Sequence, residues 1–236
     1  KAIHSIVGGE TKLFGLSLDA EVYYKDYHGL YELNYDENES IEIGDLMRRG
    51  DGEAYGFDLM LRKRAGRHTG WLSFSTGVSE RTIDGLNEDE EGDERAFRSK
   101  FDRRFSVNLI HSWRLGKKWT LNSRAAYASG QPYTQVLGRG EIELPSGFSW
   151  TFNNKGELNA VRLPSYQRLD MSIQRQFEFK TWGMKLYLQI VNVTNHKNIF
   201  NYFWDMEGKP EKRKPGKRRD IQMLPMLPSF GIDFNF

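Results

Sequence analysis

The 236-residue sequence contains no cysteine. Disulfides, thiolate zinc sites and cysteine nucleophiles are thereby excluded. Charge of one sign is also lacking. Lys and Arg number 34 against 32 Asp and Glu, a net charge of +2, which gives no general reason to expect a nucleic-acid partner. No stretch approaches the roughly 18 apolar residues that a spanning helix needs. An initial Met is absent and there is no signal peptide; the chain opens on Lys1, and a fragment of a longer polypeptide is the expectation. What is plentiful is aromatic: 15 Phe, 11 Tyr and 6 Trp, too many for a disordered chain.

The dominant pattern is alternation with a period of two. Leu16, Leu18, Ala20, Val22 and Tyr24 share one face, and Ser17, Asp19, Glu21, Tyr23 and Lys25 the other. The same separation recurs at Tyr55–Arg62, Phe101–Leu109, Leu169–Glu178 and Met184–Ile190. It is cleanest at the C-terminus, where Phe230, Ile232, Phe234 and Phe236 alternate with Gly231, Asp233 and Asn235. Helices would place apolar residues three and four apart; these segments read as strands. Nine strands are predicted, centred near Ile6, Glu21, Leu59, Phe74, Val107, Ser123, Ile173, Leu188 and Ile232.

Short and long connections alternate along the chain. Short ones sit at Phe14-Gly15, Ala65-Gly66-Arg67, Leu115-Gly116-Lys117 and Phe179-Lys180-Thr181. Long ones run about Tyr31 to Glu53, Thr82 to Ser99, Gly130 to Ser165 and Asp205 to Leu227. An antiparallel meander would then carry tight turns at one end and long polar loops at the other, as an outer-membrane barrel does. Alternation alone does not separate such a barrel from a soluble sandwich, because both need one apolar and one polar face. Loop sorting and the aromatic residues near strand ends favour the barrel. Those residues are Tyr23, Tyr24, Trp71, Trp113, Trp119, Trp182, Tyr202, Phe203 and Trp204, and interfacial girdles have this composition. Bacterial single-chain barrels have even strand numbers, so nine strands imply further ones upstream.

Five segments resemble the C-terminal barrel region of TonB-dependent outer-membrane receptors of the Bacteroidetes-like type. They are Ala54–Asp84, Phe101–Thr134, Arg162–Phe179, Leu186–Asn198 and Leu227–Phe236, in the family's order. In that family a segment like SGQPYT ends one strand, one like PSYQRLD begins the next, and the chain stops on Phe. The resemblance implies an all-β, antiparallel transmembrane barrel of about 22 strands, of which this chain is the last nine. It implies a plug domain and a TonB-contacting segment upstream, outer-membrane lipid as surroundings, and energy-coupled uptake of an iron chelate, glycan, peptide or vitamin. Phe230, Ile232, Phe234 and Phe236 would form the signal read by the barrel-assembly machinery. A structural role as a docking platform for a surface lipoprotein is the alternative. No enzymatic reaction and no cofactor are expected.

Several clusters are candidates for more specific work. Lys209, Lys212, Arg213, Lys214, Lys217, Arg218 and Arg219 crowd the last long loop. They suit lipopolysaccharide phosphates or another anionic ligand, or simply a solvated loop tip. The acidic run Asp84–Glu94 lacks EF-hand spacing and reads as a surface loop. His4, His28, His68, His111 and His196 are scattered, with no metal-ligand spacing on one element, and His111 is placed at a membrane boundary. Asp19, Glu21, Asp58, Asp102, Asp170 and Asp233 share the polar faces with Arg62, Arg104, Arg124 and Lys185, which suggests an ion network. Gly138-Arg139-Gly140 is too short for a nucleotide loop. The glycosylation-like triplets at Asn38 and Asn192 are read as chance.

Overall fold

The computed structural model describes residues 1–33, 47–88, 91–143, 147, 149–205 and 217–236. Every element in it is a strand. The first seven are β1 (Ala2–Leu13), β2 (Leu16–Leu33), β3 (Met47–Lys63), β4 (His68–Ile83), β5 (Phe97–Arg98), β6 (Phe105–Arg114) and β7 (Trp119–Ala128). There follow β8 (Pro132–Tyr133), β9 (Val136–Glu143), β10 (Ser149–Lys155), β11 (Val161–Arg162), β12 (Tyr166–Glu178) and β13 (Gly183–Val191). The last are β14 (Ile199–Asp205), β15 (Lys217–Gln222) and β16 (Leu227–Asn235).

Nine strands form one antiparallel path, β1-β2-β3-β4-β6-β7-β12-β13-β16. Each contains one of the nine centres read from the alternation. The seven short strands all lie in the long connections, with β5 paired to the outer end of β4, β9 to β10, β8 to β11 and β14 to β15. β1 and β16 are the edges, so the described sheet is open. Its four tight turns lie at one end. The first is a two-residue hairpin closed by the Leu13–Leu16 pair. Phe14 and Gly15 take φ of 51° and 75°, the left-handed backbone that matches strand twist.

Register carries the alternation across the whole sheet. Leu18, Leu61, Leu72, Leu109, Ala125 and Leu169 are successive cross-strand partners. On the opposite face Asp19, Met60, Ser73, Asn108, Ala126 and Arg168 line up in the same way. A slip of one residue in any pairing would mix the two sets. Among the described residues nothing is packed against the apolar face. Val22 and Leu188, both on strands paired on each side, keep 51% of their surface exposed. Among the described residues the buried apolar ones are Ile83 and Phe97, beside the outer part of β4, and Ala128 at the end of β7.

Four expectations change. Trp71 is the register partner of Arg62 and Ile110, so it stands on the polar face, outside any girdle. Tyr23 keeps the polar face that its alternation phase gave it and so leaves the girdle as well. A side chain added at Gly56 would come within 2.6 Å of its hydroxyl oxygen, so the ring lies over the cross-strand pair Gly56 and Gly77 and fills what they leave empty. Phe101 to Arg104 form a loop before β6, because Asp102 is drawn into a buried ion pair. The last long connection starts at Asn192 and includes the β14–β15 hairpin, so Tyr202, Phe203 and Trp204 belong to a loop hairpin.

Candidate functional site

The polar face is electrostatically divided. Near the short-turn end, Glu10 pairs in register with Asp19, and Glu21 with Asp58. These four carboxylates border a shallow depression. Toward β7 and β12 the balance reverses. Arg168 Nε donates to both oxygens of Asp170 at 2.7 and 3.0 Å, and Arg124 is the register partner of Asp170. A cleft at the loop end is bordered by Arg103, Arg124 and Arg168. It adjoins a cavity of about 470 Å³ under Phe200, Ile221 and Met223. Lys185 Nζ lies 3.8 Å from Asp233. The ion network expected from sequence therefore forms around Asp170 and Asp233, while Asp19, Glu21 and Asp58 form a separate acidic group.

Asp102 has another role. Its side chain is fully buried, and Arg162 reaches it across 60 residues of sequence. Ser79 N–H donates to its other oxygen at 2.9 Å. Arg162 also donates to the carbonyls of Asp102 and Gly130 at 2.8 and 3.0 Å, and Arg104 stands 3.6 Å away. The third long connection is thus tied to β4 and to the start of β6.

A second tie closes the last connection. Asn192, 1% exposed with φ of 54°, donates through its side chain to the carbonyls of His196 and Leu224 at 3.1 Å each. Asn195 accepts from Met226 N–H at 3.0 Å. Asn198 accepts from Gln167 N–H and donates to Gln167 O, both at 2.8 Å. The segment singled out at Leu186–Asn198 is accordingly the end of β13 followed, from Asn192 on, by an asparagine-built turn, and Asn192 is a buried structural residue.

The basic run is only partly described. Lys209, Lys212, Arg213 and Lys214 lie outside the described residues, as does Asn38. Lys217, Arg218 and Arg219 lie on β15, and the Arg218 guanidinium sits 4.6 Å from the Tyr202 ring centre. In the acidic loop, Asn87 donates to Arg95 O at 3.1 Å. Among the described residues no group of three or more His, Asp or Glu gathers as metal ligands would. The histidines are less scattered in space than in sequence. His68 and His111 stack across β4 and β6 with ring nitrogens 3.1 Å apart, and His68 stacks on Trp113. Arg139 lies on the β9–β10 hairpin.

Aromatic side chains collect on the apolar face beside the tight turns. Trp182 stacks on Phe179 at 4.1 Å and leans on Phe234 at 6.0 Å. Trp119 and Phe177 hold the guanidinium of Arg175 at 5.2 and 4.7 Å from their ring centres. Phe230, Ile232 and Phe234 are on the apolar face of the edge strand β16, and Phe236 follows it fully exposed. The alternation pattern missed Arg175 because it occupies an apolar phase between Ile173 and Phe177. Arg162 carried no local signal, since its partner is remote in sequence.

Comparison of the chain with protein-family models, with curated proteins and with solved structures finds no match.

Proposed function

We propose that this chain forms nine consecutive strands in the wall of an outer-membrane β-barrel. The barrel would be of the TonB-dependent receptor type, with about 22 strands in all, and would serve energy-coupled uptake of a large or scarce ligand. One observation carries the reading. The sheet holds a coherent apolar face from β2 to β16, and among the described residues no protein is packed on it: Leu72 keeps 40% and Leu188 51% of its surface exposed. In water an apolar face of this extent would be buried against a second layer. Hydrocarbon is the solvent that suits it, and the polar face then lines a lumen.

Three further features support the reading. β2, β3 and β4 have 18, 17 and 16 residues, more than the roughly 9–11 that cross a bilayer, so their outer ends project beyond it on the loop side. Tight turns gather at the other end, as periplasmic turns do. An open sheet in lipid would leave unpaired backbone at β1 and β16, each group costing several kcal/mol, so both edges call for further strands.

The test uses the chain's lack of cysteine. Single cysteines at Leu188 and Gln189, in the protein as its cell makes it, are treated with a lipid-soluble and a water-soluble thiol reagent. Leu188→Cys should react with the first and Gln189→Cys with the second, in the outer-membrane fraction. Recovery of the protein in the soluble fraction, or the opposite labelling, rejects the barrel. Uptake that continues after the membrane is de-energised rejects the receptor role while leaving the barrel standing.

A further inference from the structure

The tight-turn end carries two features that a lumen wall does not require. The first is a basic rim. Arg64 and Arg67 flank the second turn, Lys117 and Lys118 form the third, and Lys180 sits in the fourth, all exposed. Residues 63–67 and 115–119 contain no acid to balance them. The second is Arg175. It is the register partner of Trp119 and Leu186, so it projects from the apolar face, three residues from the end of β12. Trp119 and Phe177 cover its guanidinium, its Nε is buried with no hydrogen-bond partner, and no carboxylate pairs with it among the described residues.

A cation on an apolar face is costly unless an anion answers it. Three residues at about 3.3 Å each, tilted by about 45°, put Arg175 some 7 Å inside the rim. A bilayer whose edge runs along the rim would bring its headgroup phosphates to about that depth, and guanidinium recognises phosphate well. Exposed lysines and arginines beside an aromatic belt add attraction for an anionic leaflet.

We propose that the tight-turn end is a binding surface for anionic phospholipid headgroups, with Arg175 seating the phosphate and the turn cations supplying the preference for negative lipid. The proposal rests on the membrane reading above and adds the lipid class to it.

The test uses the whole protein in nanodiscs containing equal phosphatidylglycerol and phosphatidylcholine, with retained lipid counted by native mass spectrometry. Phosphatidylglycerol should be retained about fivefold over phosphatidylcholine. Arg175→Gln should abolish most of that preference and Arg175→Lys should keep part of it. Exchanging Arg64, Arg67, Lys117 and Lys118 together for Gln should weaken both the preference and its salt dependence. These four are exposed turn residues, so that variant carries the test even where Arg175→Gln fails to assemble. Equal retention of both lipids by the unaltered protein overturns the proposal, and so does a preference that survives both sets of changes. Displacement of the lipid by inorganic phosphate would reassign the site to free phosphate and overturn it as well. Lipid-side labelling at Leu188 without lipid preference rejects this inference alone; failure of that labelling rejects the reading beneath it.

Discussion

Asp102 is the residue on which the loop end depends most. It accepts from Arg162 and from the backbone of Ser79, and none of its side-chain surface meets water. Asp102→Ala would strand the Arg162 charge and an N–H of β4. The cost should be about 2–4 kcal/mol, near the low end for a broken buried pair because Arg162 stays partly exposed. Limited proteolysis should then cut between residues 130 and 165 sooner than in the unaltered protein, while cleavage at the tight turns stays the same; an unchanged pattern would show that the tie is dispensable. Asp51, on the outer end of β3, makes a weaker connection. Gly29, at the bulge in β2, donates its backbone N–H to Asp51 at 2.9 Å. That bond, aided by His28 and opposed by partial desolvation, holds the Asp51 carboxyl below its ordinary value. A carboxyl lowered by folding contributes stability that is complete above its unfolded value of about 4. The contribution is lost as pH falls through the lower, folded value. Exchange protection at Gly29, corrected for the intrinsic rate, should therefore drop below about pH 4 and be low at every pH in Asp51→Ala, which offers no acceptor. Protection that ignores pH would rule out the link.

At the scale of the element, the strands were legible because the signal repeats at every second residue over seven residues or more. One apolar–polar exchange matters little to such a pattern, so each of the nine centres falls on a strand of the main sheet. What the pattern could not settle was where a neighbour's geometry overrides the phase. Trp71 reads as part of a girdle until its pairing with Arg62 is known, and Arg175 is invisible until Trp119 and Phe177 are seen around it. The short strands β5, β8 and β11 were likewise hidden, because two-residue pairings leave no periodicity. The phase has a direct consequence for substitution. Arg at Leu188 should cost about 2–4 kcal/mol if that face meets the bilayer midplane, and Arg at Gln189 much less. Urea unfolding of the reconstituted protein measures both, and equal costs would show the faces assigned the wrong way round. The terminal strand should respond as a unit. Phe236→Glu places a charge where the alternating aromatic face ends, and on the proposed barrel reading the amount of protein recovered in the outer-membrane fraction should fall; an unchanged amount would remove Phe236 from assembly.

At the scale of the whole molecule, the sheet is defined as much by its ends as by its faces. Tight turns at one end bring Lys, Arg and Trp together, whereas the long connections at the other are tied by Asp102 and by the asparagines near Asn192. The division of labour follows from connection length. A two-residue turn places its own side chains at the rim and nowhere else, while a connection of some thirty residues can return to the sheet and hydrogen-bond to it, as Asn198 does to Gln167 of β12. The sequence by itself determined the strands, their two faces and the sorting of connections by length, because all three depend on residues close together in the chain. Only the tertiary structure decided which charges pair, which aromatic residues stand on the polar face, and where an arginine stands among rings. Those outcomes depend on which residue lies opposite across a strand pair or a loop, and hydrogen-bond register, set by the sheet as a whole, chooses that partner.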